Sequence, residues 1–322
     1  MDDNGSGRLA RLFDRFGPFL GLLVVAGLFA AVAPSGFASV YNAKTILTQS
    51  VIVGVCALGM TFVIRSGGID LSVGSAIAFA SVVTALTMKA TSSAAVATLA
   101  GVAAGAAVGA INGGLIAGLA LPPFIVTLGT LGAARGAAKW IAGEQKVDAP
   151  SGWFEQAMSK SSDAPLGLAP GIWLMLLGAV AAAFVLRRTV FGVWTTAIGS
   201  NERAALLCGV PVRRTKVWIY VLMGAAAGLA GVLQFGRLTV GDPTTATGKE
   251  LDVIAAVVIG GASLSGGSGT ILGTLVGALL MATLANGCNL SGVPNYVQEI
   301  LIGGIIVTAV ALDRLRKGGA RG

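Results

Sequence analysis

Long apolar runs separated by short polar breaks limit what this chain can fold into more than any other feature. The runs cover residues 18–33, 45–64, 73–88, 94–119, 124–142, 170–186, 217–236, 252–265, 270–287 and 296–312. A helix that crosses a membrane needs about 20 apolar residues. Charged residues make up only 11% of the 322 residues, whereas soluble domains contain about 25%. The pattern predicts an all-α polytopic membrane protein with about ten transmembrane helices.

The basic residues predict how these helices are oriented. With residues 1–17 in the cytoplasm, the other cytoplasmic segments are 65–72, 120–123, 187–216, 266–269 and 313–322, and the six segments together hold 14 of the 22 basic residues. Cytoplasmic loops of membrane proteins carry such an excess of lysine and arginine. We therefore expect both termini in the cytoplasm, with a cytoplasmic N-terminal segment at 1–17 and a basic cytoplasmic tail at 313–322.

Two of the predicted spans have an alternative interpretation. The first resembles a signal peptide that ends at Ala33, but Pro34 would follow the cut and disfavours cleavage, so we expect the helix to be retained. The run at 252–265 is short and ends in glycines, and it could form a half-helix instead of crossing. A total of nine spans is the alternative to ten.

Residues that common enzymes require are missing from the sequence. There is no histidine, and the three cysteines stand far apart without metal-ligand spacing. The segment that ends in Gly248, Lys249 and Glu250 lacks the first glycine and the hydroxyl residue of a phosphate-binding loop. We expect no catalytic residue, no metal site and no bound nucleotide in this chain, and the basic loops indicate a membrane protein, not one that binds nucleic acid.

The segment 187–216 contains a short amphipathic pattern. Asn201 can cap a helix that begins at Glu202, and Gly209 can end it. Ala205 and Leu206 belong to an apolar knob that we expect to be exposed, between basic residues on both sides. An exposed apolar knob indicates either a partner protein or contact with the lipid surface.

A glycine motif of the form G-G-x-x-L-S-x-G occurs twice, at 67–74 and at 260–267. Its signature residues are Gly67, Gly68, Ser72, Gly74, Gly260 and Gly261. Glycines allow sharp turns, and Ser72 or Asp70 can cap the following helix. The motifs predict either simple turns at the ends of spans or broken helices that line a transport path.

Four polar residues in or near the spans are candidates for that path: Asp70, Asn112, Arg135 and Asn286. A charge near the middle of a span is costly, so Arg135 must face a cavity or find partners. Asn112 and Asn286 could instead join neighbouring helices by hydrogen bonds. Asp70 could also pair with Arg65, whereas Glu250 is expected near the outer surface. Glycines at every fourth position from Gly101 to Gly113 predict close helix packing, within the chain or between subunits.

Several motifs together resemble the permease subunits of bacterial ABC importers for monosaccharides, the ribose, xylose and arabinose type. The run G-G-I-D-L-S-V-G-S at 67–75 resembles the family's most distinctive signature, and P-F-I-V-T-L-G-T at 123–130 resembles the next one. Similar segments follow in order at 197–202, 250–261 and 286–290. The resemblance extends from about residue 40 to residue 312.

The resemblance implies a single transmembrane permease domain at 18–312 with a cytoplasmic docking loop at 187–216, in the bacterial inner membrane. It implies cytosolic ATPase subunits that carry ATP and magnesium, a periplasmic sugar-binding protein and a second permease subunit, identical or not. Residues 201–209 match the loop that docks on the ATPase. The residues alone leave one alternative open, a carrier that works without partners and couples to ions through Asp70. The sugar is not identified.

Overall fold

A computed structural model of the protein describes residues 3–33, 36–159 and 165–318. Pro34 and the last residues of the predicted tail, 319–322, lie outside the described residues. The described part contains thirteen α-helices and two short strands. The helices are α1 (Asp3–Val32), α2 (Val40–Arg65), α3 (Val73–Thr91), α4 (Ala94–Gly118), α5 (Pro123–Ile141), α6 (Gly152–Met158), α7 (Pro170–Arg188), α8 (Val190–Ser200), α9 (Glu202–Leu207), α10 (Val212–Leu238), α11 (Lys249–Ile259), α12 (Ile271–Leu290) and α13 (Asn295–Gly318). The strands are β1 (Val147–Asp148) and β2 (Val240–Gly241).

The length and apolar character of the helices confirm a polytopic all-α membrane protein. Six of the described helices are long and apolar enough to cross a membrane, namely α2, α3, α4, α7, α10 and α12. Helix α11 has 11 residues and is therefore about 16 Å long, which is short of the ~30 Å hydrocarbon core. The run at 252–265 was expected to form either a full span or a half-helix, and the length of α11 supports the half-helix.

The predicted runs coincide with helices throughout, and the differences lie at their ends. Helix α13 continues to Gly318, beyond the predicted end at 312. Helix α8 lies in the segment 187–216, where only one short helix was expected. Thr189 separates it from α7 in an extended conformation, and the Thr189 hydroxyl accepts a hydrogen bond from the Gly192 amide at 3.4 Å.

Helix α2 lies at the centre of the bundle. Every residue from Ser50 to Ile64 is buried, so this stretch has no exposed face. A helix that is apolar on all sides is typical of the core of a membrane protein. Helices α7, α10, α11 and α12 pack around it.

Glycines bring the backbones of α4 and α10 into direct contact. A Cβ atom at Gly105 would lie against Gly224 and Gly228, and one at Gly109 would lie against the backbone of Tyr220. Small residues permit this close approach of membrane helices. Of the two interpretations of the glycine pattern in α4, the structure supports packing within the chain.

The half-helix α11 packs against α12 in the same way. A Cβ atom at Gly273 would meet the Gly260 carbonyl oxygen, and one at Gly277 would meet that of Ala256. The later residue of α12 contacts the earlier residue of α11, so the two helices are antiparallel. Helix α11 therefore approaches its neighbour closely along one face.

A small covering structure lies at the end of the bundle where α5 and α10 terminate. Strands β1 and β2 pair antiparallel, with Val147 opposite Gly241. Helix α6 contributes Phe154, which packs edge-on against Phe235 of α10 with ring centres 5.3 Å apart. This structure joins the α5–α7 connection to the segment after α10.

Candidate functional site

Helix α9 has the ends that its sequence predicts. The Asn201 side-chain oxygen accepts a hydrogen bond from the Ala204 amide at 3.0 Å. At the other end Gly209 has a φ of +82°, and its amide donates to the Leu206 carbonyl at 3.0 Å. A left-handed residue at this position is the usual way to end a helix, and glycine adopts it without strain.

The exposed part of α9 is smaller than expected. Leu206 and Leu207 are 62% and 88% exposed, whereas Ala205 is only 4% exposed. Ala205 packs with Ile198 of α8 and Val212 of α10. The prediction that Ala205 is exposed is therefore wrong. Helix α9 folds back onto α8 and α10, so one face of this short helix is buried.

An ion pair fixes α9 to the beginning of α10. Lys216 Nζ lies 2.7 and 2.8 Å from the two carboxylate oxygens of Glu202. Both residues line a groove of about 370 Å³ between α9 and the α4–α5 connection. They also line a smaller cavity of about 90 Å³ that reaches Gly67, Gly68 and Tyr220. The short helix is thus adjacent to the first glycine motif.

The first glycine motif forms a buried turn between α2 and α3. Gly67 has a φ of +82°, and Gly68 lies so close to Tyr220 that a Cβ atom would be 2.5 Å from the phenolic oxygen. The carboxylate of Asp70 accepts hydrogen bonds from the Ser72 amide at 2.8 Å and the Ser72 hydroxyl at 2.6 Å. Asp70 therefore stabilises the turn that precedes α3, but neither Asp70 nor Ser72 caps α3 with its side chain, although such a cap was expected.

Asn112 connects this turn to α4 and α5. Its amide donates to the Ser72 hydroxyl at 2.9 Å, and its carbonyl oxygen accepts from the Thr130 hydroxyl at 2.6 Å. Asp70 and Asn112 are 2% and 0% exposed. Two of the four path candidates thus meet in one buried polar network.

Arg65 does not pair with Asp70. Its guanidinium donates to the Thr196 hydroxyl at 2.8 Å and to the Gly269 carbonyl at 2.6 Å. In the described part of the chain no cationic group lies within ion-pair distance of Asp70. The expected pair is absent because the glycine turn directs Asp70 into the bundle while Arg65 points toward α8.

Arg65 instead marks the place where the two glycine motifs meet. The Gly267 amide donates to the Arg65 carbonyl at 2.9 Å. A Cβ atom at Gly199 of α8 would meet both the Arg65 carbonyl and the Gly267 amide. Both motifs, α8 and α9 therefore lie at one end of the bundle.

Arg135 binds the chain segment between α10 and α11. Its guanidinium donates to the Pro243 carbonyl at 2.9 Å and to the Thr245 carbonyl at 2.6 Å. The Thr245 hydroxyl also accepts from Gln234 of α10 at 2.6 Å. We call residues 242–248 the re-entrant segment, because they run from the end of α10 back into the bundle. Arg135 holds it in place.

Asp242 begins the re-entrant segment outside the spanning helices. Its carboxylate accepts from the Thr244 amide at 2.8 Å and the Thr244 hydroxyl at 2.7 Å, and it lies 3.5 Å from Lys146. Partial burial raises the pKa of Asp242, but the two Thr244 hydrogen bonds and Lys146 outweigh it, so the pKa lies below its usual value. Asp242 is charged at neutral pH.

Asn286 lies apart from the other candidates. Its side-chain oxygen accepts a hydrogen bond from Asn42 at 2.9 Å, and Asn42 also donates to the Phe37 carbonyl at 3.0 Å. This buried pair joins α12 to α2. The structure therefore does not bring Asn286 to Asp70, Asn112 or Arg135.

Glu250 is a residue whose position the sequence reasoning missed. A Cβ atom at Gly74 would meet the Glu250 carboxylate and the Ala246 carbonyl, so the beginning of α11 lies against the beginning of α3. Glu250 is partly buried against the beginning of α3, whereas a solvated position near an outer or interfacial end was expected. The signal was its place in the segment 250–261, which resembles a family motif.

Comparisons with known proteins agree with this arrangement. Residues 42–310 match the family described as branched-chain amino acid transport system, permease component. The ribose import permease of Bacillus subtilis is 41% identical over 94% of each chain. The L-arabinose ABC transporter permease of Azospirillum brasilense is 38% identical over 98% of this chain and 92% of its own. The ribose import permease of Escherichia coli K12 is 38% identical over 92% of this chain and 93% of its own. No solved structure matches.

These matches extend over nearly the whole chain, including α9, both glycine motifs and the re-entrant segment. The predicted resemblance to the permeases of monosaccharide importers is confirmed. The family description refers to amino acids, whereas the three relatives are sugar permeases. The chain belongs to the family of permease components of ABC transport systems and is a multi-pass transport subunit.

Proposed function

We propose that this chain is the permease subunit of an ATP-driven importer that carries a monosaccharide, a pentose, a hexose or a related polyol, across the bacterial inner membrane. The sugar is supplied by a periplasmic binding protein. ATP and magnesium are bound by separate cytosolic ATPase subunits, and this chain binds no cofactor. The relatives that transport ribose and arabinose support a monosaccharide over an amino acid.

The observation that carries this proposal is the surface of α9. Leu206 and Leu207 are exposed at the tip of a helix that is capped at both ends and fixed by the ion pair between Glu202 and Lys216. A rigid apolar tip outside the spanning helices is suited to insertion into a cleft of a partner protein. We propose that residues 201–209 contact the ATPase, with Leu206 as the central contact.

The proposed topology has ten membrane segments with both termini in the cytoplasm. Nine helices are α1 to α5, α7, α10, α12 and α13, and the tenth segment is the half-helix α11 with the re-entrant segment. The glycine motifs, α8 and α9 then share the cytoplasmic end, where Arg187, Arg188, Arg213 and Arg214 follow the positive-inside rule. The cover of β1, β2 and α6 faces the periplasm and receives the sugar-binding protein.

The proposed path runs between two permease subunits, identical or related. On α5 the glycines Gly129, Gly132 and Gly136 have open space around them, unlike Gly105 and Gly109 of α4. A helix with such an open face can approach a second subunit or line the path. Asp70, Asn112 and Arg135 lie near this helix and support the path, whereas Asn286 supports the fold beside it.

The docking surface can be tested with a double variant, Leu206→Asp with Leu207→Asp. The change places two charges on the apolar tip without altering the caps of α9. We expect normal insertion in the membrane, loss of the ATPase in a pull-down and loss of sugar uptake in proteoliposomes. The matched control is Leu166→Asp, which is 76% exposed in the connection before α7, on the other side of the membrane.

Two results would contradict the proposal. Retained ATPase binding in the double variant would assign α9 to the lipid surface. Sugar uptake by the purified chain without any ATPase, driven by a proton or sodium gradient, would show an ion-coupled carrier.

A further inference from the structure

Glu250 is a charged group inside the bundle for which the structure provides no protein partner. Its neighbours in the first turn of α11, Lys249 and Asp252, pair with each other. Within residues 3–33, 36–159 and 165–318, Glu250 has no ion pair shorter than 4.0 Å and no side-chain hydrogen bond. A carboxylate at this place must be solvated by something other than the protein.

The contacts of Glu250 place it beside the buried polar network that joins α3, α4 and α5. It lies against Gly74, two residues after Ser72, and Ser72 is bonded through Asn112 to Thr130 of α5. Thr130 lies about 10 Å from the beginning of α5, and Arg135 lies about 18 Å from it. Glu250 is also nine residues before the end of α11, about 14 Å along the helix, so its carboxylate does not lie where Arg65 and Gly267 meet.

Polar groups lie on the elements next to this carboxylate. Arg135 forms no ion pair with Glu250 among the described residues, and its guanidinium donates to the Pro243 and Thr245 carbonyls of the re-entrant segment that leads to Glu250. Ser75, the residue after Gly74, has a buried hydroxyl that finds no partner among the described residues. The beginnings of α3 and α11 also meet here, and helix N-termini stabilise a carboxylate.

We propose that Glu250 contacts the transported solute, its carboxylate accepting hydrogen bonds from hydroxyl groups of a monosaccharide that passes between it and Arg135. This inference rests on the proposed function. A carboxylate without a protein donor suits a neutral polyol, because each hydroxyl group of the polyol can donate a hydrogen bond to it. Arg135 is meanwhile a positioning residue, since two of its hydrogen bonds hold the re-entrant segment that leads to Glu250.

The first test is transport by Glu250→Gln in proteoliposomes that contain the ATPase and a sugar receptor, with labelled ribose and arabinose as probes. Glutamine keeps the size of the side chain but replaces one acceptor oxygen by a donor NH2 group. We therefore expect the sugar concentration for half-maximal uptake to rise about tenfold. ATPase binding should be unchanged. The control is Asp252→Asn, in the same turn of α11, which should transport like the parent.

The second test does not depend on activity of the variant. Glu250→Cys, in a chain with the exposed Cys208 changed to serine, is treated with a charged, membrane-impermeant thiol reagent. Cys56 and Cys288 are buried and serve as an unreactive background. We expect Glu250→Cys to be modified, and modification to slow while ribose is being transported. Ala255→Cys, fully buried in the same helix, should not react.

The outcomes separate this inference from the proposed function. If the parent chain shows no ATP-dependent uptake of either sugar, the proposed function fails. If the parent transports but Glu250→Gln has the same half-maximal concentration, or if Glu250→Cys is inaccessible, the inference about Glu250 is overturned and the proposed function stands.

Discussion

Lys216 of α10 holds both carboxylate oxygens of Glu202 of α9, at 2.7 and 2.8 Å. Glu202 is 53% exposed in its side chain and Lys216 is 18% exposed. Tyr220 lies one turn after Lys216 on α10, and its side chain lies against Gly68 of the first glycine motif. A movement of α9 is therefore linked to the buried turn by one rigid helix.

The first prediction concerns this ion pair. Glu202→Gln should lower the free energy of unfolding by less than about 1 kcal/mol, because exposed pairs contribute little. It should nevertheless reduce the coupling of ATP hydrolysis to uptake, since α9 loses its attachment to α10. The measurement is the ratio of sugar transported to ATP hydrolysed, with Lys216→Met as the second variant. An unchanged ratio in both variants would show that the pair has no part in coupling.

The second prediction concerns the contact between α4 and α10. Gly109→Ala places a Cβ atom against the Tyr220 backbone and should destabilise the protein by about 1–3 kcal/mol. The matched control is Gly114→Ala in the same helix, where nothing lies within 4 Å of the new atom. Thermal unfolding in detergent should distinguish the two. Equal stability would mean that α4 and α10 separate more easily than their contact indicates.

The third prediction concerns Arg135. Arg135→Leu leaves the carbonyls of Pro243 and Thr245 without their donor, which should cost about 1–3 kcal/mol. The result should be lower thermal stability and greater proteolysis in the re-entrant segment. Lys139→Leu, on the same helix but exposed, is the control. A stable variant with an intact segment would show that Gln234 alone holds Thr245.

The fourth prediction separates transport by ATP from coupling to ions at Asp70. Asparagine can still accept hydrogen bonds from Ser72, so Asp70→Asn should retain most ATP-driven uptake, whereas Asp70→Leu should lose it together with stability. Uptake is measured with the ATPase and receptor present, with and without a proton or sodium gradient. Gradient-dependent uptake that disappears in Asp70→Asn would favour the carrier.

The fifth prediction concerns pH. The pKa of Asp242 is lower in the folded protein than its usual value, so its hydrogen bonds with Thr244 and its pairing with Lys146 stabilise the fold when it is charged. This stability is present above the ordinary aspartate pKa, about 3.9, and is lost as the pH falls through the lower, folded pKa. Asp242→Asn should therefore unfold at a lower temperature at pH 7 and show a smaller loss at acidic pH. Parallel curves for both proteins would contradict this.

The sequence could predict those elements whose signal is local. The caps Asn201 and Gly209 specify α9, and apolar length specifies the spanning helices. Helix α8 was missed because Thr189 alone separates it from α7, so no loop marks its beginning. The paired strands were missed because two residues each are too few to show alternation.

The candidate site depended more on contacts between distant parts of the chain. The hydrogen bonds of Asp70 are local, because Ser72 follows it by two residues, but they stabilise the turn and do not cap α3. The position of Glu250 beside α3 follows from a contact with Gly74, which is far away in the sequence. The residues before Glu250 resemble an ordinary polar loop. The meeting of both glycine motifs at Arg65 likewise has no local signal.

The backbone contact between α4 and α10 also limits which parts of the protein can act as hinges. At Gly105 and Gly228 no layer of side chains separates the helices, so they cannot slide past each other without a backbone collision. We therefore expect no sliding of α4 against α10, and the two helices should move together as one rigid unit. The proposed transport cycle is then expected to bend the chain elsewhere, at the glycine turn after Arg65 or at the extended residue Thr189 between α7 and α8.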